Sequence, residues 1–177
     1  MELWDIYDID RVRTGRVAKR GKPASEGGLG EGEYHLVVHI CVFNGRGQLL
    51  LQQRQKDKEG YPNLWDVSAA GSALAGENSA AAASRELREE LGLVHDFTKE
   101  RPFLTTHFER GFDDWYFIRI EANINDLRLQ PEEVQDARWA DLAEIERMLD
   151  SGEMVPYYRD LVRLWFAMKD HSKDRKS

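Results

Sequence analysis

Residues 71–93 read GSALAGENSAAAASRELREELGL, and they join a helical pattern to an unusual arrangement of charge. Ala80, Ala83, Leu87 and Leu91 recur at three- and four-residue spacing. This predicts an amphipathic helix from about Asn78 to Leu91, with Gly92 as its stop. On that helix Glu86 lies three residues from Glu89 and four from Glu90, so their carboxylates share one side. Like charges so spaced repel by roughly 0.2–0.5 kcal/mol per pair even when exposed. A divalent cation turns that cost into a binding site, because carboxylate oxygens are the preferred ligands of Mg²⁺. For the helix taken alone, a solvated charged face with an Arg85–Glu89 pair is the competing reading.

Outward from the helix the pattern is that of strands and turns. Leu3–Tyr7 reads as an edge strand, and residues 13–32, rich in Gly and basic groups, as a long loop with a small hairpin near Thr14-Gly15. Tyr34–Phe43 is β-rich, Asn44-Gly45-Arg46-Gly47 is a turn, and Gln48–Arg54 is the next strand. Trp65–Ala70 is a short strand ending at Gly71. Phe103–Arg110 and Trp115–Ala122 are expected to pair across Gly111-Phe112-Asp113, and Gln135–Ala140 is the last strand. Helices are expected near Leu142–Leu149 and Val155–Met168, the latter with Tyr158, Leu161, Val162, Trp165 and Met168 on its apolar face. The tail His171–Ser177 is polar and expected to fray. Neither an internal repeat nor an interdomain linker is visible, so residues 1–177 read as one domain, with 1–33 as its N-terminal strand and loop.

Composition excludes several classes. The 177 residues include 41% hydrophobic and 32% charged residues, the balance of a globular protein rather than a disordered one. A net charge of −7 argues against a nucleic-acid polymer as partner, since that role needs a basic face. The single cysteine, Cys41, lies in an apolar run, so no internal disulfide is available and the residue reads as a small buried hydrophobe. No basic stretch followed by an apolar one opens the chain, and no apolar run reaches the length of a membrane span. A cytoplasmic setting is expected. The aromatic first strand offers an edge at which a homodimer can pair.

The spacing around the glutamates is more specific than the helix. Gly71, five residues, Glu77, seven residues, Arg85-Glu86-Leu87, one residue, Glu89-Glu90, one residue, Gly92-Leu93 is the complete signature of the Nudix hydrolases. A chance match is on the order of 10⁻⁶. The resemblance, which covers most of residues 34–150, implies an α/β/α sandwich with a mixed central sheet. It implies Mg²⁺, with Mn²⁺ as an alternative, and a small-molecule diphosphate substrate, often a nucleoside diphosphate linked to another group. Glu86, Glu89 and Glu90 match the family's metal-coordinating and base-positioning glutamates. Gly71 matches the glycine whose carbonyl completes the metal site. Glu77 and Arg85 match an orienting ion pair. Glu132 and Glu133 resemble a later loop that supplies the general base in some members, and a solvated acidic turn is the plain alternative for them.

A second resemblance narrows the branch by where it fails. Tyr34-His35-Leu36 through Asn44, Leu50–Arg54 and Lys58–Trp65 are similar to isopentenyl-diphosphate isomerase, which shares the fold. Arg54 and Lys58 match its diphosphate-contacting cations, a sensible role for two positive charges beside a metal site. Snorkelling surface cations are the alternative. The isomerase's catalytic cysteine falls at Ala70 and a histidine ligand falls at Ser72, so only His35 of its histidines is matched. The expectation is therefore a hydrolase of this branch. Isomerase activity and a non-catalytic ligand-binding module are the alternatives, the latter opposed by the intact glutamate set. His35 and His39 alternate on one strand and read as structural, as do the aromatics Trp115, Tyr116 and Phe117. His107 and Asp113-Asp114 flank a hairpin that could close over a substrate.

Overall fold

A computed structural model describes residues 1–170 of the chain. The expected frayed tail, 171–177, lies outside the described residues. The strands are β1 (Leu3–Tyr7), β2 (Arg13–Lys19), β3 (His35–Phe43), β4 (Leu49–Arg54), β5 (Trp65–Asp66), β6 (Ala69–Ser72), β7 (Leu104–Phe108), β8 (Gly111–Arg119) and β9 (Val134–Ala140). The helices are α1 (Ser79–Leu91), α2 (Leu142–Ser151) and α3 (Arg159–Met168). A seven-stranded sheet runs β5-β4-β3-β8-β7, with β6 on β3 and β9 on β4, while β1 and β2 form a sheet of two. This is an α/β fold with a mixed central sheet. Among the described residues, no helix is long and apolar enough to cross a membrane.

The contacts of the chain gather into two compact units. One comprises Met1–His39, Ala70–Glu86 and His95–Tyr116; the other comprises Ile40–Ala69, Leu87–Val94 and the described residues from Phe117. In the first unit Ile6, Ala18 and Leu29 form a small core against Trp4, whose ring stacks on His35 at 4.0 Å. In the second, Leu49, Leu50 and Leu51 of β4 are fully buried, as are Ile145 of α2 and Trp165 of α3. The β4 strand bonds to neighbours on both edges, with Gln52 opposite Asp66 on one side and Ala137 on the other. Side chains on β4 are thereby held on a rigid element.

Helix α1 forms where its periodicity predicts it. Asn78 caps it by accepting the Ala81 N–H at 2.9 Å. Gly92 closes it with φ 70°, its N–H bonded to the Arg88 carbonyl at 3.0 Å. The buried face holds Ala82, Ala83, Leu87 and Leu91, and Ala80 is only half-buried.

Four local expectations are corrected. Residues 13–19 form β2 rather than a loop: its registered pairing with β1 supplies the order, although every β2 side chain except Ala18 is exposed. Tyr7 also exchanges backbone bonds with Tyr34, and Leu3 accepts from Ala75, so β1 is bonded along both edges and β2 forms the border of that sheet. The β7–β8 turn is the tighter Glu109-Arg110, because Gly111 pairs with Phe108 and Phe112 with His107. Helix α3 starts at Arg159, not Val155, since Val155 bonds to the Trp65 carbonyl as extended chain and Pro156 follows. Tyr158 is accordingly 85% exposed and does not join the apolar face of α3.

Candidate active site

In the first unit, one guanidinium on α1 ties together the end of strand β6 and the loop carrying Glu77. Arg85 donates from Nε to Glu77 Oε1 at 2.8 Å and from Nη2 to Glu77 Oε2 at 2.9 Å, a bidentate pair. The same Nη2 reaches the Ser72 carbonyl at 3.0 Å, and Nη1 reaches Glu86 Oε1 at 2.8 Å. Glu77 also accepts the Leu74 N–H at 2.9 Å. Burial acts to raise the Glu77 pKa, but the bonds from Arg85 and Leu74 outweigh it and hold the carboxyl below its usual value. The Glu77 bond likewise raises Arg85 further above its ordinary value, against desolvation.

Gly71 stands where no larger residue fits without displacing this group. A Cβ built there would lie 2.0 Å from Glu86 Oε1 and 2.2 Å from Glu86 Cδ. The Glu86 carboxylate thus rests against the Gly71 backbone.

Helix α1 carries the remaining glutamates into the second unit, where their environments differ. Glu89 is exposed, whereas Glu90 is only 5% exposed and accepts a hydrogen bond from Gln52 Nε2 at 2.7 Å. The loop after β8 docks on the end of the helix: Arg128 N–H bonds to the Leu91 carbonyl and Gln130 N–H to the Glu90 carbonyl, each at 3.1 Å. That loop leads directly into Glu132 and Glu133. Glu133 is ion-paired with Lys58, while Glu132 is exposed. The segment carrying Lys58 is tied to the same loop by Gln55, whose Nε2 bonds to the Pro131 carbonyl at 2.8 Å. Arg54 turns the other way, to Asp66 Oδ2 at 3.2 Å and the Gly60 carbonyl at 2.9 Å. Asp66 in turn accepts from the Tyr157 hydroxyl at 2.6 Å. Burial, with Asp66 adding to it, keeps Tyr157 well above its ordinary pKa and so a phenol donor.

The histidines lie elsewhere. His35 is 8% exposed and packed between Trp4 and Phe108, and His39 meets Asp113 at 3.0 Å while stacking on Trp115 at 4.1 Å. Asp114 is paired with Arg11 and Thr105, so the acids of the hairpin are engaged within the first unit. Trp115, Tyr116 and Phe117 are buried core residues, as is Cys41, whose thiol burial raises well above its ordinary value.

Residues 33–163 match the family model described as the NUDIX domain. The chain belongs to the Nudix hydrolase family. It is 51% identical over 158 residues to an uncharacterized Nudix hydrolase of Listeria monocytogenes, covering 89% of this chain and 90% of the other. It is 30% identical over 159 residues to an isopentenyl-diphosphate Delta-isomerase of Nocardia farcinica, covering 86% and 91%. The crystal structure of a Deinococcus radiodurans protein superposes with a TM-score of 0.74 at 26% identity, over 92% of this chain and 98% of that one.

As a Nudix hydrolase, the chain presents oxygen donors of the kind a hard divalent cation takes. Among the described residues no three His, Cys, Asp or Glu side chains converge as a ready-made metal group. Instead Glu86 and Glu90 are each held by a neighbouring donor, and Gly71 leaves room for the Glu86 carboxylate. This donor chemistry is that of a hard divalent cation. Sequence reasoning overlooked Gln52, Asp66 and Tyr157. The available signal was alternation: on β4, Gln52 and Arg54 take the register of buried Leu50, so polar groups stand where a core strand offers hydrocarbon.

Proposed function

We propose that this Nudix hydrolase uses Mg²⁺ to cleave the diphosphate bond of a small organic diphosphate, with water as the acceptor. The observation that carries the reading is the fitted contact between Gly71 and Glu86, on a helix that also bears Glu89 and Glu90. In this reading Gly71, Glu86, Glu89 and Glu90 hold the cation, and Mn²⁺ can replace Mg²⁺. A divalent cation, when bound, offsets the negative charge that develops on the diphosphate oxygens. Arg85 and Glu77 fix the direction of the Glu86 carboxylate by their shared hydrogen bonds. Glu89, exposed on the same helix, is the box glutamate best placed to take a proton from the attacking water. Glu132 is the second candidate for that role, because Glu133 is engaged by Lys58. Arg54 and Lys58 supply positive charge for the diphosphate, and both must exchange a carboxylate partner for substrate. The single-domain organisation, the cytoplasmic setting and a small-molecule rather than polymeric substrate belong to the same proposal.

The isomerase alternative lacks its thiol, since Ala70 occupies the place. The test is a panel of nucleotide sugars, dinucleotides, modified nucleotides and prenyl diphosphates, assayed with and without Mg²⁺. Product release that requires Mg²⁺ and falls about 10²–10⁴-fold in Glu89→Gln is the expected result. Absence of hydrolysis across the panel would sink the hydrolase reading, and conversion of isopentenyl to dimethylallyl diphosphate would replace it.

A further inference from the structure

Gln52 is a buried amide that directly follows the three leucines of β4. Leu49, Leu50 and Leu51 are fully buried, and Gln52 is itself only 2% exposed. An amide taken out of water without a partner costs about 1–3 kcal/mol on mutational scales. A leucine or methionine at this position would avoid that cost, so the amide answers a need that packing does not create. Its partner is Glu90 Oε2, at 2.7 Å, and Glu90 is nearly as buried as Gln52. The strand beneath is bonded on both edges, so the amide stands on rigid backbone. The donor is also neutral. An amide fixes one oxygen of Glu90 without itself adding positive charge.

We infer that Gln52 is a positioning residue, holding the Glu90 carboxylate in the orientation in which it meets a divalent cation. The inference rests on the metal-dependent reading above and adds to it a residue outside the glutamate box. Removing groups that orient metal ligands typically weakens metal affinity about 10–100-fold.

The experiment measures binding of Mn²⁺ alone to the full-length chain, by calorimetry and by its electron paramagnetic resonance signal. Wild type, Q52M, E90Q and the double variant are compared, each with its thermal midpoint. Methionine matches the shape of glutamine without a donor. Q52M is expected to stay folded and to bind Mn²⁺ about 10–100-fold more weakly. It should add little further loss in the E90Q background, because both changes act through one carboxylate. Unchanged affinity in Q52M, or losses that simply add in the double variant, overturns the role of Gln52 while leaving the metal site standing. If the wild-type chain binds no Mn²⁺, the metal reading itself falls, and the positioning role falls with it. A measurement on wild type guards against a variant that does not fold. Saturating Mg²⁺ is expected to move the side-chain amide resonances of Gln52, and a Gln52 amide that ignores the ion overturns the inference.

Discussion

Gly71 and Arg54 are single residues whose surroundings predict opposite kinds of mutant. The three atoms nearest to a methyl group at Gly71 all belong to the carboxylate end of Glu86, a flexible side chain that can move aside. Gly71→Ala should therefore unfold at nearly the wild-type temperature yet lose at least about ten-fold in kcat/KM, because a displacement of about 1 Å near the reacting groups is costly. A large drop in the thermal midpoint, or full activity, would contradict this separation. Arg54 is different because its partner Asp66 is 4% exposed. Arg54→Ala leaves that carboxylate with one cation fewer and should lower urea stability by about 2 kcal/mol in addition to any effect on substrate. Lys58→Ala removes a more exposed pair with Glu133 and should cost less than about 1 kcal/mol. Urea titrations of the two variants side by side decide whether Arg54 is a structural as well as a substrate cation.

At the scale of elements, α1 is the one whose boundaries sequence reading recovers best, since periodicity, cap and stop are all local signals. Its end is also where strain is expected. Gly92 has φ 70°, and an added Cβ would lie 2.7 Å from Arg128 Cβ and 3.2 Å from Arg128 N. Unlike Gly71→Ala, Gly92→Ala must force a left-handed alanine against neighbouring backbone. It should destabilise the protein by about 1–3 kcal/mol, read as a lower urea midpoint with an unchanged slope. The elements that escaped sequence reading share a cause. Strand β2 shows no apolar alternation because all but one of its side chains face solvent. Its order comes from backbone pairing with β1, which leaves no trace in composition. The start of α3 was blurred because Val155 is apolar and buried in extended chain as well as it would be in a helix.

For the whole molecule, the glutamate box was legible because its positions fall within 23 consecutive residues, 71–93. The partners of the box and its neighbouring loops that lie far away in the chain were not. Gln52 meets Glu90 across 38 positions and Lys58 meets Glu133 across 75, separations that no local pattern reports. His35 is a further long-range case, and it makes overall stability depend on pH. Its ring lies between Trp4 and Phe108, and desolvation lowers its pKa from 6.5 to about 4, against the opposing pull of Asp113 and with the repulsion of Arg20 and Arg110. The unfolded chain takes up this proton near pH 6.5, whereas the folded chain resists it until about pH 4. Between those values the unfolded state binds more protons, so stability rises with pH. The contribution is complete above pH 6.5, is lost progressively as pH falls towards 4, and changes no further below that. Between pH 7 and pH 5 the loss amounts to about 2 kcal/mol. His35→Phe keeps an aromatic ring for Trp4 to stack on but removes the titrating group. Urea midpoints at pH 7 and pH 5 should therefore separate clearly for wild type and draw together in the variant. Equal pH dependence in the two proteins would show that the His35 ring does not stay neutral on folding.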